Sequence, residues 1–145
     1  MAVSEEIITA RKCGSVRCGL SSQPSPAVQE LAHEFGLRDE ATCYKEIEDT
    51  SARRLVQLVL HRDLAYHSEI MSESLAAELT DRFFAQFGPG ARYFTNGTFH
   101  EEPQWISESV KAGASWESVT EATFDTGVLI LAPGCSGCLW VEDED

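Results

Sequence analysis

No run of about 18 apolar residues occurs anywhere in the chain, and that is the length a helix needs to cross a bilayer. A membrane-spanning helix is therefore excluded. The first residues, MAVSEEIITARK, lack the basic-then-apolar pattern of a secretory signal, so the expectation is a cytoplasmic protein. Basic residues are few, 11 against 24 acids. They are fewest after residue 62, where only Arg82, Arg92 and Lys111 stand against 15 acids; residues 1–62 hold nine acids and eight bases. Nearly the whole net charge of −13 thus belongs to residues 63–145. Such a field repels nucleic acid and anionic membrane and attracts a basic protein surface. No internal repeat and no low-complexity tract is present. A chain of 145 residues buries about two-thirds of its unfolded surface in one core, so neither a disulfide nor a metal is obligatory.

The apolar spacing then sets out the elements. Ile7 and Ile8 suggest a strand start, and Lys12 to Ser15 a turn. Residues 1–24 as a whole read as poorly ordered or as an edge hairpin. Ser25 and Pro26 open a helix over 26–35, since proline's missing N–H costs nothing at the first position. Val28, Leu31, Ala32 and Phe35 form its apolar face, and Gly36 suits its end. Residues 39–48 fit a helical stripe of Ala41, Tyr44 and Ile47, or a short strand at 42–44. The apolar run in 51–60 fits a helix, with a buried strand over 55–60 as the alternative. Ser72 or Ser74 caps the next helix, with Leu75, Ala76, Leu79, Phe83 and Phe87 inward and Gly88-Pro89-Gly90 as its stop. After residue 90 the period changes to that of strands. Residues 92–95, 126–131 and 138–142 read as strands, the last two joined by the hairpin loop 132–137. Asn96-Gly97 reads as a turn, and Pro103 opens a short helix carrying Trp105 and Ile106. Residues 142–145 read as an acidic tail. Helices first and strands last imply an α+β fold, with N-terminal helices packed on a mainly antiparallel sheet formed by the C-terminal half.

Several motifs meet a chemical test. Cys13, Cys18, Cys135 and Cys138 offer four thiolates, the last two as CxxC, and zinc takes such sets. The first pair is loosely spaced and far from the second in the chain, so ordinary thiols are expected and zinc is the minority reading. No cofactor is expected. His61-Arg62-Asp63-Leu64 copies the opening of the protein-kinase catalytic loop, but no asparagine follows at the needed spacing and no Gly-rich loop precedes it. Asp125-Thr126-Gly127 copies an aspartic-protease signature, but lies too near the end of the chain for a groove to follow; it reads as a turn before a strand. His67 with Asp63 and Glu69 lacks a nucleophile or phosphate loop beside it.

The last third of the chain mixes aromatic residues with acids. Tyr93, Trp105, Trp116 and Trp140 alternate with Glu101, Glu102, Glu108, Glu117, Glu121, Asp125 and Glu142. Trp140, in mid-strand, is expected in the core. Tryptophan anchors interfaces, and acids steer a basic partner into register. In size, acidity and the ending FDTGVLIL…CLWVEDED, the chain resembles the immunity proteins that accompany bacterial polymorphic toxins. That resemblance implies a one-to-one complex occluding a basic toxin's active site, with Glu101, Glu102, Trp105, Trp116 and Asp125 as the expected contacts. The competing expectation is a small enzyme or zinc-stabilised protein using its cysteines or the His67 region.

Overall fold

A computed structural model describes residues 2–101 and 114–145. Among the described residues, eleven elements follow in chain order. They are α1 (Val3–Ala10), β1 (Ser15–Leu20), α2 (Val28–Glu34), a 3-10 turn at Ala41–Cys43, and β2 (Lys45–Ile47). Then come α3 (Asp49–His61), α4 (Glu73–Phe84), β3 (Arg92–Thr95), a 3-10 turn at Phe99–Glu101, β4 (Phe124–Leu131) and β5 (Gly137–Asp143). The five strands form one antiparallel sheet in the order β1-β5-β4-β3-β2. The fold is α+β, with helices early in the chain and the central strands late. The two edge strands come from the N-terminal half.

Both faces of the sheet are covered. Ile7 of α1, Leu55, Val59 and Leu60 of α3, and Leu79, Phe83 and Phe84 of α4 pack on one face, against Val128 and Ile130 of β4 and Leu139 and Val141 of β5. Leu31 and Ala32 of α2, with Leu37, Cys43 and Tyr44, pack on the other, against Phe94, Leu129, Cys138 and Trp140. A strand covered on both faces needs no polar alternation. That is why β4 and β5 read as continuous apolar runs and are buried almost throughout.

Where the elements depart from the sequence reading, packing is the reason. Ile7 and Ile8 belong to a helix, because Val3 and Ile7, one turn apart, are both buried. Ile8 is left 46% exposed. The predicted turn follows it, with Gly14 at φ +58°; a Cβ there would lie 1.9 Å from the carbonyl oxygen of Glu142. Residues 15–20 are an ordered edge strand. Helix α2 starts later than Pro26: its cap is Ala27, whose N–H donates to the Glu30 carboxylate at 2.7 Å. Residues 39–48 are neither of the two uniform readings, but a 3-10 turn followed by a strand. Residues 49–61 are helical, and Ser72 caps α4 by accepting from the Leu75 N–H at 3.1 Å. Leu75 itself, expected inward, is exposed. Asp125-Thr126-Gly127 is not a turn but the interior of β4. Gly127 faces Trp140 across the ladder, and a Cβ there would meet the carbonyl oxygen of Leu139 at 2.0 Å. The acidic tail is shorter than its sequence suggests. Asp143 ends β5 and is buried with Arg11, whose guanidinium donates to both carboxylate oxygens at 2.9 and 2.8 Å. The short helix expected after Pro103 lies outside the described residues.

Candidate partner-binding surface

Three segments are sewn together at the end of the sheet where β4 begins. Thr98 and Ser115 exchange main-chain and hydroxyl bonds, and Gly97 bridges to Trp116. The Glu117 N–H donates to the Asn96 carbonyl at 2.8 Å. The Thr123 hydroxyl donates to the Glu144 carboxylate, as does the Thr123 N–H at 3.0 Å, and together they hold that carboxyl below its usual range. Residues 96–101, 114–123 and 142–145 therefore form one surface. They contain no Lys or Arg. Glu101, Glu117, Glu121, Glu144 and Asp145 are all exposed on it.

Asp125 lies beneath this surface rather than on it. The expectation that it touches a partner is overturned by its complete burial. Its carboxylate accepts from Trp140 Nε1 at 3.1 Å and from Asn96 Nδ2 at 3.0 Å. It also accepts from the Val119 N–H at 3.2 Å and from the Thr120 hydroxyl at 3.0 Å. Asn96 is buried too: its amide reaches the Glu117 carbonyl at 2.8 Å, and its oxygen accepts from Thr126. Burial raises the Asp125 pKa above the ordinary carboxylate value, and the bonds from Trp140, Thr120 and Val119 pull it back. A buried carboxylate with this many donors is a structural knot. It ties segment 117–120 to the two central strands and so fixes the backbone from which Glu117 and Glu121 project.

Trp116 also serves the fold. Its half-buried ring lies between those of Phe99 and Phe124, with centroids 5.1 and 5.5 Å away. This packing holds 114–117 against the core. Trp140 is fully buried, as expected. Glu101 is exposed. Beside it His100 is only 13% exposed, and its Nδ1 has no hydrogen-bond partner among the described residues. Burial lowers the His100 pKa, against the raising effect of Glu101. Glu102 and Trp105 lie outside the described residues.

The other candidates separate. The four cysteines of the zinc reading do not meet. Cys18 packs on the face shared with Leu139, and Cys138 packs on the opposite face. Cys13 contacts Asp143, and Cys135 lies in the hairpin loop. Among the described residues no group of three or more His, Cys, Asp or Glu is placed to hold a metal. Burial pushes Cys18 up to about 11 and raises Cys138 well above the usual thiol value; both are poor thiolate donors near neutrality. Asp63 of the kinase-like motif accepts from the main-chain N–H groups of Ser68 and Tyr66, at 2.6 and 3.0 Å. It therefore holds its own turn, in which His67 takes a left-handed φ of +56°.

Arginine pairing explains why the acidic surface keeps its charge. Arg38, Arg53, Arg82 and Arg92 each face a carboxylate elsewhere, namely Glu40, Asp49, Glu6 and Glu46, while Arg11 and Arg17 pair with Asp143 and Glu142, which are not among the exposed acids of that surface. That pairing was not legible from composition, because the partners are mostly distant in sequence. Among the described residues, no helix is long and apolar enough to cross a membrane. Comparison with protein-family models, with curated proteins and with solved structures finds no match. The chain is defined here by its α+β fold, covered on both sheet faces, and by its acidic end.

Proposed function

We propose that the protein is an acidic protein-binding inhibitor of the immunity type, which neutralises a basic toxin or enzyme by covering its active site. The observation that carries this reading is the surface built from 96–101, 114–123 and 142–145. It is rigidly tied to the central strands, exposes Glu101, Glu117, Glu121, Glu144 and Asp145, and has no Lys or Arg of its own. Fixed carboxylates on a stiff frame need no reordering on association, which lowers the entropic cost of binding. They also speed encounter with a positive cleft. An enzyme that handles nucleic acid or nucleotides has such a cleft, and the acids would occupy the place of its anionic substrate.

The test is titration of inhibition. The protein is used as bait in its native host, the retained basic protein is identified, and that protein's activity is measured as the inhibitor is added. The expected result is loss of activity reaching completion at a one-to-one ratio. Retention of no basic protein, or binding that leaves the activity intact, would overturn the reading.

A further inference from the structure

Asn96 is the only asparagine in the chain, and Gly97 follows it. In an open chain this pair is chemically labile. The Gly97 main-chain nitrogen attacks Asn96 Cγ, an N–Cγ bond forms, and the Cγ–Nδ2 bond breaks. The proton of the Gly97 N–H leaves with Nδ2 as ammonia, and a cyclic succinimide remains. Water then opens the ring at either carbonyl, giving aspartate or isoaspartate. Glycine favours the attack, because it has no Cβ to shield the nitrogen or restrict the backbone. The fold nevertheless requires both residues. A Cβ on residue 97 would lie 2.3 Å from the Ser115 carbonyl oxygen. Asn96, 4% exposed, is the one side chain that bonds to Glu117, Asp125 and Thr126 at once.

We infer that Asn96 is a latent modification site, closed to this reaction while residues 96–98 stay paired with 115–117 and converted to a carboxylate when they part. In the closed state Nδ2 donates to the Glu117 carbonyl at 2.8 Å, and to the carbonyl and Oδ1 of Asp125, both at 3.0 Å. Oδ1 accepts from the Thr126 hydroxyl at 2.8 Å. The side chain is therefore held from both ends and does not swing onto the next nitrogen. The Glu117 N–H bonds to the Asn96 carbonyl and the Thr98 N–H to that of Ser115, so Gly97 is fixed on both sides at its bridge to Trp116. Conversion is one-way. A carboxylate oxygen in the place of Nδ2 would stand 3.0 Å from the carboxylate of Asp125, with the Glu117 and Asp125 carbonyls as its other neighbours. At neutral pH it has no hydrogen to give any of them. Two carboxylates in one buried site repel, and each is left short of a donor. Isoaspartate also lengthens the main chain by a methylene, which breaks the register with Trp116. The pairing then does not re-form, and the segment carrying Glu117 and Glu121 is released. The inference concerns this knot alone and stands apart from the inhibitor reading.

The experiment is incubation of the full chain in mildly alkaline buffer, folded and in guanidinium chloride, with the mass gain of amide to acid followed at Asn96 by peptide mass spectrometry. Conversion of the folded protein should be slower by roughly hundredfold or more, a factor set by how seldom the segment opens. Thr126→Val removes the hydroxyl that holds Asn96 Oδ1; it should speed conversion of the folded protein and leave the denatured rate unchanged. Converted protein, refolded out of guanidinium and separated by its added charge, should melt lower than unconverted protein refolded beside it. Its Glu117, Val119 and Thr120 amides should lose protection from exchange, while those of the β4–β5 ladder keep theirs. Equal rates in the folded and denatured protein would overturn the inference. So would converted protein that keeps both the melting temperature and the three protections of the unconverted form.

Discussion

At the scale of single residues, two buried polar groups hold this molecule in register, and a third, half-buried group makes its stability depend on pH. The first is the Arg11–Asp143 pair, whose side chains are 0% and 1% exposed. Arg11 also donates to the Val59 carbonyl at 2.7 Å, and Asp143 accepts from the Leu64 N–H at 2.8 Å. The pair thus joins the end of α1, helix α3 and the end of β5. Breaking such a pair leaves a lone buried charge, so Asp143→Ala should cost about 3–5 kcal/mol. Urea denaturation checks this; a loss under about 1 kcal/mol would be that of a surface pair. The second is Asp125. In Asp125→Asn an amide N–H would face donors that now point at a carboxylate. The expected loss is about 1–3 kcal/mol for each donor left unsatisfied, measured the same way. The third is His100, whose folded pKa is depressed by burial. A base with a depressed folded pKa contributes stability that is present above its unfolded value, near 6.5, and is lost as pH falls through the folded value. Stability should therefore decline as the pH is lowered from about 6.5. His100→Gln should flatten that decline in a series of thermal melts, and an unchanged slope would assign it to other groups.

At the scale of elements, helix α4 shows how spacing becomes burial. Ala76, Leu79 and Phe83 recur at helical intervals and are buried, while Glu73, Glu78 and Asp81 are exposed. The Phe83 ring packs edge-on against Phe84 and Phe87, with both centroids 5.4 Å away. Phe83→Ala should destabilise the protein by about 3–5 kcal/mol through lost transfer energy and a cavity. Leu75→Ala, about two helical turns earlier but exposed, should cost well under 1 kcal/mol. Equal losses at both sites would show that the inward face is misassigned. The sequence shows this helix because one stripe of residues carries the whole signal. It does not show that α1 is a helix, because only Val3 and Ile7 mark its face and the adjacent Ile8 imitates a strand. It does not show β2 either. Three residues, two of them exposed and charged, have no periodicity to detect, and their extended form is imposed by pairing with β3.

At the scale of the whole molecule, charge and function meet. Glu101→Lys with Glu117→Lys and Glu121→Lys alters exposed positions only, so the fold and its melting temperature should stay nearly constant. Association with the basic partner should slow, and the salt dependence seen near 0.15 M, where the screening length is ~8 Å, should shrink. Stopped-flow association rates check this; rates equal to the wild type would remove steering from the account. Chelator is expected to leave the melting temperature unchanged, since the cysteines are dispersed over both sheet faces and two loops. A fall in melting temperature with EDTA would signal a metal that contributes to folding.

The sequence by itself determined the fold class, helix α4, the β4–β5 hairpin and the burial of Trp140, and left α3 open between a helix and a buried strand. Each of these rests on a local pattern long enough to be read: a helical stripe, a stop of Gly-Pro-Gly, or two apolar runs around a loop. It also determined that the negative charge lies in residues 63–145. Only the tertiary structure decided which acids are available. Asp125 and Asp143 look like surface acids in the chain, yet both are buried, because their partners Asn96, Val119, Trp140 and Arg11 arrive from distant positions. Trp116 was claimed by Phe99 and Phe124 in the same way. Hydrogen bonding and packing between residues far apart in sequence are set by how the sheet brings them together, and composition carries no record of that.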